Sequence, residues 1–229
     1  MKPSLLLIHG ALGSKVQLEH LGELLSSSFE IYTFNLPGHG GEALPEAYAI
    51  DHFVDATDQF IQTHGLARPG IFGYSMGGYI AMKLALDQPD LVGPIVTLGT
   101  KFQWDPESAA KEVRMMNPDI IEQKIPAFAA TLRERHAPAD WKTIMRLTGE
   151  MMTRMGNGEA MTGEDFKAIT TRTLICIGSD DHMVTREESL KTADWLPQGT
   201  CQIIEGFRHP LESIDQEKMT EIIKVFIKR

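Results

Sequence analysis

The feature that most constrains this chain is a glycine-rich turn between a strand-like segment and a helix-like one. Residues 73–78 (GYSMGG) follow the apolar pair Ile71-Phe72 and precede a stretch with helical periodicity at residues 79–86. Glycine on both sides of the serine permits a turn that is too tight for side chains. The pattern predicts a strained strand–turn–helix unit that presents the Ser75 hydroxyl outward. The N–H groups at the start of the helix then face the serine.

Length and charge exclude several classes of protein. The 229 residues, 42% of them hydrophobic, suffice for one substantial domain or a domain with an insertion. A net charge of −9 without a basic stripe argues against nucleic-acid binding. No apolar stretch is long enough to cross a bilayer, and residues 5–8 (LLLI) are too short for a signal-peptide core. We therefore expect a soluble, cytoplasmic protein whose partner is a small molecule.

Cysteine and histidine usage gives no indication of a metal or cofactor. Cys176 and Cys201 are the only cysteines, and each lies in an apolar, strand-like run. Two buried thiols fit this placement better than a disulfide or a metal site. No cluster has metal-ligand spacing, and no glycine-rich loop resembles a dinucleotide or phosphate cradle. We expect no cofactor.

Short apolar runs alternate with longer helical patterns along most of the chain. Most runs are continuous Val, Ile and Leu, which is typical of parallel strands covered on both faces. The alternation predicts an open, mostly parallel α/β sheet of about six strands with right-handed crossovers. The predicted strands are Ser4–Ile8, Glu30–Phe34, Gly70–Phe72, Pro94–Leu98, Thr173–Ile177 and Thr200–Ile204. The predicted flanking helices are Lys15–Ser26, Asp51–Thr63, Met76–Asp87, Glu187–Trp195 and Ser213–Lys228.

Residues 101–170, which we call the helical insertion, depart from this alternation. They contain no strand pattern, and proline and glycine breaks separate predicted helices at Glu107–Met116, Asp119–Arg135 and Ala139–Met155. The insertion is rich in methionine, a flexible apolar residue that suits the wall of a substrate pocket. The alternative is ordinary packing of these helices onto the sheet. We expect a cap at residues 101–170 and a core domain formed by residues 1–100 and 171–229.

A serine hydroxyl becomes nucleophilic only with a base beside it and a carboxylate to orient that base. In an open α/β sheet such partners come from loops at the carboxyl ends of strands. Asp180 and Asp181 follow the fifth predicted strand, and His209 follows the sixth. Either aspartate satisfies the requirement, so the residues predict the chain order Ser75, then an aspartate, then His209.

These stretches together resemble the α/β-hydrolase fold superfamily over essentially the whole chain. The matching segments are residues 7–10 (LIHG), 35–40 (NLPGHG), 73–78 (GYSMGG), 178–184 (GSDDHMV) and 206–209 (GFRH). The resemblance implies a Ser-Asp-His triad, with the acid at Asp181 rather than Asp180 and with His182 as a bystander. Many members carry two further strands before the first one seen here, so the sheet is expected to be a smaller one.

An ester carbonyl attacked by Ser75 becomes an oxyanion, which needs preorganised donors. The backbone N–H of Met76, directly after the serine, is one such donor. The resemblance implies a second from Ala11, with Leu12 as the alternative.

Histidines are frequent enough to need separate interpretation. The resemblance implies that His9 and His39 support the oxyanion loop and the neighbouring turn. The remaining histidines in helical patterns are predicted to lie at the surface, namely His20, His52, His64 and His136.

The leading functional hypothesis is a carboxylesterase-like serine hydrolase for a small, partly hydrophobic ester or thioester. A second hypothesis is a lyase similar to the pyruvate-eliminating synthase of menaquinone biosynthesis. That family typically has arginine directly after the two glycines of the turn, where this chain has Tyr79. Carbon–carbon bond hydrolases and cofactor-free haloperoxidases share the same residues. A third hypothesis is a ligand-binding protein that uses the same fold.

Overall fold

The computed structural model describes residues 2–228 and shows a single sheet surrounded by helices. The strands are β1 (Ser4–Ile8), β2 (Glu30–Thr33), β3 (Gly70–Tyr74), β4 (Ile95–Leu98), β5 (Thr173–Gly178) and β6 (Gly199–Ile204). The helices are α1 (Glu19–Leu25), α2 (Ile50–Thr63), α3 (Met76–Asp87), α4 (Pro106–Met115), α5 (Pro118–Lys124), α6 (Pro126–His136), α7 (Trp141–Arg154), α8 (Gly163–Ala168), α9 (Arg186–Trp195) and α10 (Gln216–Ile227).

All strand pairs are parallel, and the strand order is β2-β1-β3-β4-β5-β6. This confirms the predicted six-stranded α/β sheet. Because the strands are parallel, all their carboxyl ends meet at one edge. The chain order reverses between β1 and β3, and ligands of open α/β sheets bind in the crevice outside such a reversal.

Successive strand residues point to opposite faces and supply two cores. Leu5 and Leu7 of β1 pack with α1 and α10 on one face of the sheet. Leu6 and Ile8 pack with α2 and α3 on the other. All four side chains are fully buried, and each contributes roughly 2 kcal/mol of hydrophobic stabilisation. Burial on both faces explains the largely apolar sequences of the four inner strands, β1, β3, β4 and β5.

The structure changes two of the predicted helices. The helix predicted over Asp119–Arg135 is two helices, because Pro126 disfavours helical geometry at Ile125, whose φ and ψ are −134° and 61°. Ile125 therefore separates α5 from α6. The helix predicted from Lys15 begins as a 3-10 turn over Lys15–Leu18 and becomes α-helical at Glu19.

The chain between β4 and β5 is helical, as predicted, and α8 is an addition that the sequence pattern did not reveal. Ile144 and Met145 of α7 join the core that contains α2 and α3. Cys176 and Cys201 are free thiols, the first buried as predicted and the second only partly buried. None of the helices within residues 2–228 combines the length and apolarity needed to cross a bilayer.

Candidate active site

Ser75 lies at the turn between β3 and α3 in a strained backbone conformation, with φ 51° and ψ −119°. Its N–H donates to the carbonyl of Leu98 at 2.8 Å, and the Thr100 hydroxyl donates to its carbonyl at 2.9 Å. A Cβ atom at Gly73 would lie 2.5 Å from the Gly77 carbonyl oxygen. The tight approach explains why glycine occupies that position, and the hydrogen bonds hold the strained turn in place.

The structure brings Asp181 and His209 together. His209 Nδ1 donates to Asp181 Oδ2 at 2.9 Å, and Asp181 Oδ1 accepts from the N–H groups of Met183 and Val184 at 2.8 and 3.0 Å. Burial, with the side chain 1% exposed, opposes ionisation of Asp181. The contacts to His209 and the two N–H groups outweigh burial and lower its pKa. Asp180 instead accepts from the Ser179 hydroxyl at 2.9 Å.

Tyr74 and Gly99 restrict the position of His209. The Tyr74 hydroxyl donates to the His209 carbonyl at 2.8 Å. The backbone of Gly99, in the left-handed region at φ 60°, lies beside the Asp181–His209 pair. A Cβ there would stand 3.2 Å from both His209 Nδ1 and Asp181 Oδ2. A side chain at this position would press against the hydrogen bond that orients the imidazole.

Ser75 and His209 line one common pocket, with a cavity of about 60 Å³. Most of its wall is apolar and comes from both the sheet domain and the helical insertion. The apolar lining includes Met76, Tyr79, Met151, Met152, Met155 and Val184. A wider groove of about 950 Å³ runs along β6 and α10 and shares no residue with this pocket. The smaller cavity is the candidate site because it holds the serine and the imidazole.

The loop after β1 borders the same serine. A Cβ at Gly10 would lie 3.0 Å from the Ser75 Cβ, and Ala11 lines the pocket. Leu12 has a left-handed backbone, with φ 56°, and its carbonyl oxygen accepts from Arg135 Nη1 and His136 Nε2 at 2.8 and 3.1 Å. Of the two residues predicted to supply the second donor, Ala11 lines the cavity, whereas Leu12 does not and its carbonyl oxygen is bound by α6.

The family model described as the alpha/beta hydrolase fold matches residues 3–140. The chain belongs to this family. This α/β-hydrolase is 24% identical over 238 residues to the (E)-2-((N-methylformamido)methylene)succinate hydrolase of Acinetobacter baylyi, covering 97% of this chain and 89% of that protein. It is 33% identical over 116 residues to the 2-succinyl-6-hydroxy-2,4-cyclohexadiene-1-carboxylate synthase of Shigella sonnei, covering 49% of this chain and 44% of that protein. Among solved structures, NosK from Streptomyces actuosus superposes with a TM-score of 0.83 at 22% identity, over 100% of this chain and 98% of that one.

Three histidines of this α/β-hydrolase form a buried cluster beside the loop that follows β1. His9 donates from Nδ1 to the Gly10 carbonyl at 2.8 Å, while its Nε2 accepts the Leu36 N–H at 3.1 Å. The His39 ring lies 5.2 Å from that of His9 and 5.8 Å from that of His136, measured between centroids. Burial lowers the pKa of His9 to about 4 and holds that of His39 well below its usual value. The cluster is therefore neutral and ties together the loops after β1 and β2.

The surface prediction for His136 is wrong, whereas His20, His52 and His64 are exposed as predicted. His136 is fully buried at the end of α6, where its Nδ1 accepts the Gly40 N–H at 3.1 Å. Burial lowers its pKa to about 4. The helical pattern around His136 gave no sign of burial, because the partners that cover it lie about a hundred residues away.

Sequence reasoning also missed three polar residues of the insertion that line the pocket, namely Lys101, Trp104 and Glu112. The first two follow β4 closely, and the carboxyl ends of strands are where sites gather, so their position offered a signal. Glu112 lies within α4 and offered none. Within residues 2–228 no cluster of three or more histidine, cysteine, aspartate or glutamate side chains is arranged to hold a metal ion.

Proposed function

We propose that this chain is a carboxylesterase-like serine hydrolase that cleaves a small, partly hydrophobic ester or thioester through an acyl-enzyme on Ser75. The observation that carries the proposal is the 2.9 Å hydrogen bond between Asp181 and His209, at a pocket that Ser75 also lines. A serine and an imidazole that line one pocket, with a carboxylate hydrogen-bonded to the imidazole, supply the three groups that activate an alcohol for acyl transfer.

The roles follow from the contacts. Because Asp181 engages Nδ1 of His209, Nε2 is the nitrogen that accepts the proton of Ser75 as its oxygen attacks the carbonyl carbon. The imidazolium then protonates the leaving group, and the ester bond breaks. His209 next removes a proton from water, whose oxygen attacks the acyl carbon. The imidazolium then returns that proton to the Ser75 oxygen as the bond to the acyl group breaks and the acid is released.

The developing oxyanion needs donors beside Ser75. We assign them to the backbone N–H groups of Met76, in the first turn of α3, and of Ala11. Each donor of this kind supplies about 3 kcal/mol of transition-state stabilisation. The first N–H groups of a helix have no partner within it, so that of Met76 is available for this role.

We assign residues 101–170 to a cap over the site, because Met151, Met152 and Met155 line the pocket opposite a wall from the sheet domain. A cavity of about 60 Å³ favours short acyl groups. The Acinetobacter baylyi relative, similar over nearly the whole chain, is named as a hydrolase, which supports hydrolytic chemistry here.

The proposal is tested with a fluorophosphonate probe and p-nitrophenyl esters of graded chain length. We expect labelling of wild type, none of Ser75→Ala, and the highest kcat/KM for acetate or propionate rather than for octanoate. Folded wild-type protein that resists labelling and hydrolyses none of the esters would contradict the proposal and favour a ligand-binding role.

The second candidate is pyruvate elimination, which the 33% identity to the Shigella sonnei synthase over half of the chain favours. Tyr79, at the position where that family typically has arginine, is buried and accepts the Met161 N–H at 2.6 Å. It offers no cation for a substrate carboxylate. Release of pyruvate from the menaquinone precursor, with no ester hydrolysis, would establish the lyase instead.

A further inference from the structure

Glu112 is a buried acid with no partner. It lies on α4, is 4% exposed and lines the pocket that contains Ser75 and His209. No hydrogen bond or ion pair from another residue in the range 2–228 reaches its carboxyl group. Buried carboxyl groups are normally paired, since an unpaired one costs free energy of folding. An unpaired acid in a pocket wall is a position where a ligand completes the contacts.

Trp104, in the same pocket, has a hydrogen-bond donor that lacks an acceptor among residues 2–228. Its indole N–H is shielded from solvent and has no acceptor within the described residues. An indole nitrogen can only donate, so a hydrogen-bond acceptor is what it lacks. The pocket thus contains one hydrogen-bond acceptor without a donor, the Glu112 carboxylate, and one donor without an acceptor, the Trp104 indole N–H.

Lys101 lines the same pocket but forms no ion pair with Glu112. Its ammonium group stands 3.7 Å from a Glu188 carboxylate oxygen and 5.4 Å from the centroid of the Trp104 ring. Glu188 is itself held by the backbone N–H of Phe102 at 3.0 Å. The charge of Lys101 is therefore largely balanced by Glu188, and Glu112, the acid that lines the pocket, forms no ion pair with any residue in the range 2–228.

We propose that Glu112 and Trp104 determine specificity for a substrate with a carboxamide-type group, such as a primary amide, a carbamate or a ureide, beside its scissile ester. The N–H of that group donates to the Glu112 carboxylate, and its carbonyl accepts from the Trp104 indole. A single planar group that carries both a donor and an acceptor fills both vacancies. The inference rests on the proposed function for the identity of this ligand as a substrate.

The test uses three methyl esters of nearly equal shape: methyl succinamate, methyl 4-methylpentanoate and monomethyl succinate. They end in an amide, an isopropyl group and a carboxylate. Binding to Ser75→Ala is measured by NMR titration, so that the result does not depend on turnover. We expect methyl succinamate to bind at least about tenfold more tightly than methyl 4-methylpentanoate, as hydrogen bonds to a buried charged group predict. The carboxylate, repelled by Glu112, should bind worst.

In the Ser75→Ala background, Glu112→Leu and Trp104→Phe should each reduce the ratio of the two affinities, amide over isopropyl-terminated compound, by about tenfold. A ratio of one in either variant would mean that the preference for the amide is lost. Glu107→Gln, an exposed acid on the same helix, should preserve it. Glu112→Leu should also raise the Tm, because it removes an unpaired buried acid, and this verifies folding. Equal binding of methyl succinamate and methyl 4-methylpentanoate, or tightest binding of monomethyl succinate, would overturn the inference. Hydrolysis of methyl 4-methylpentanoate by wild type is measured separately, and its absence would count against the proposed function alone.

Discussion

Arg135 Nη1 donates a 2.8 Å hydrogen bond to the carbonyl oxygen of Leu12, which lies 123 residues earlier in the chain. The Arg135 side chain is 16% exposed and also stands 3.6 Å from a Glu212 carboxylate oxygen. Glu212 follows His209 by three residues. One side chain of the helical insertion therefore contacts both the loop beside Ser75 and the segment that carries the imidazole.

Replacing Arg135 by Gln should lower kcat for short esters by about tenfold with little change in KM. The loss of a charge-assisted hydrogen bond to a peptide carbonyl frees the loop that holds the proposed Ala11 donor. His136 still binds the Leu12 carbonyl, which limits the loss. Steady-state kinetics measure the effect, and Arg135→Lys should restore part of it.

Arg133→Gln is the matched control, because Arg133 is an exposed neighbour on α6 that pairs with Glu122 at the surface. Exposed ion pairs contribute little, so its kcat should match that of wild type. Equal effects of the two substitutions would mean that Arg135 has no positioning role.

Asp181→Asn should lower kcat by roughly 10⁴-fold, because an amide at this position favours the wrong imidazole tautomer. Asp180→Asn should be nearly silent, since Asp180 contacts the Ser179 hydroxyl and not His209. Kinetics of both variants beside circular dichroism spectra distinguish the two acids. A larger loss in Asp180→Asn would move the acid to that residue.

Two glycine-to-alanine changes should have opposite effects on stability. Gly77→Ala should destabilise the fold by several kcal/mol, because the added methyl group would overlap the carbonyl oxygen of Ile8. Gly149→Ala, in the interior of α7, meets no atom closer than 3.6 Å and should stabilise by about 0.5–1 kcal/mol. Urea denaturation measures both changes, and a stable Gly77→Ala protein would show that the turn can relax.

Stability should fall as the pH drops from 6.5 towards 4. His9 and His136 have folded-state pKa values of about 4, below the value of 6.5 that applies when unfolded. In this window the unfolded chain binds more protons than the native one, so protonation favours unfolding. A shift of this size corresponds to roughly 3 kcal/mol per group.

The contribution of one group can be isolated by substitution. His136→Gln should flatten the pH dependence of the unfolding free energy between pH 7 and 4, while His52→Gln, at an exposed site, should leave it unchanged. An unaltered slope in His136→Gln would mean that this imidazole is not buried in its neutral form.

Much of the fold could be predicted from local pattern. Short strand-like runs, most of them continuously apolar, identified every strand of the sheet, and α3 begins and ends at the predicted residues, Met76 and Asp87. The break between α5 and α6 at Pro126 could also have been predicted, because proline restricts the backbone of the residue before it. Strands, helix ends and proline breaks depend mainly on residues adjacent in sequence, so the local sequence is enough to predict them.

Order along the chain determined the sheet, the glycine turn around Ser75 and the succession of serine, aspartate and histidine. Tertiary structure alone decided that His136 is buried, that Arg135 reaches Leu12 and that Glu112 enters the pocket without a partner. These outcomes depend on contacts between segments that are far apart in sequence, and no local periodicity encodes which polar side chain a distant loop will cover.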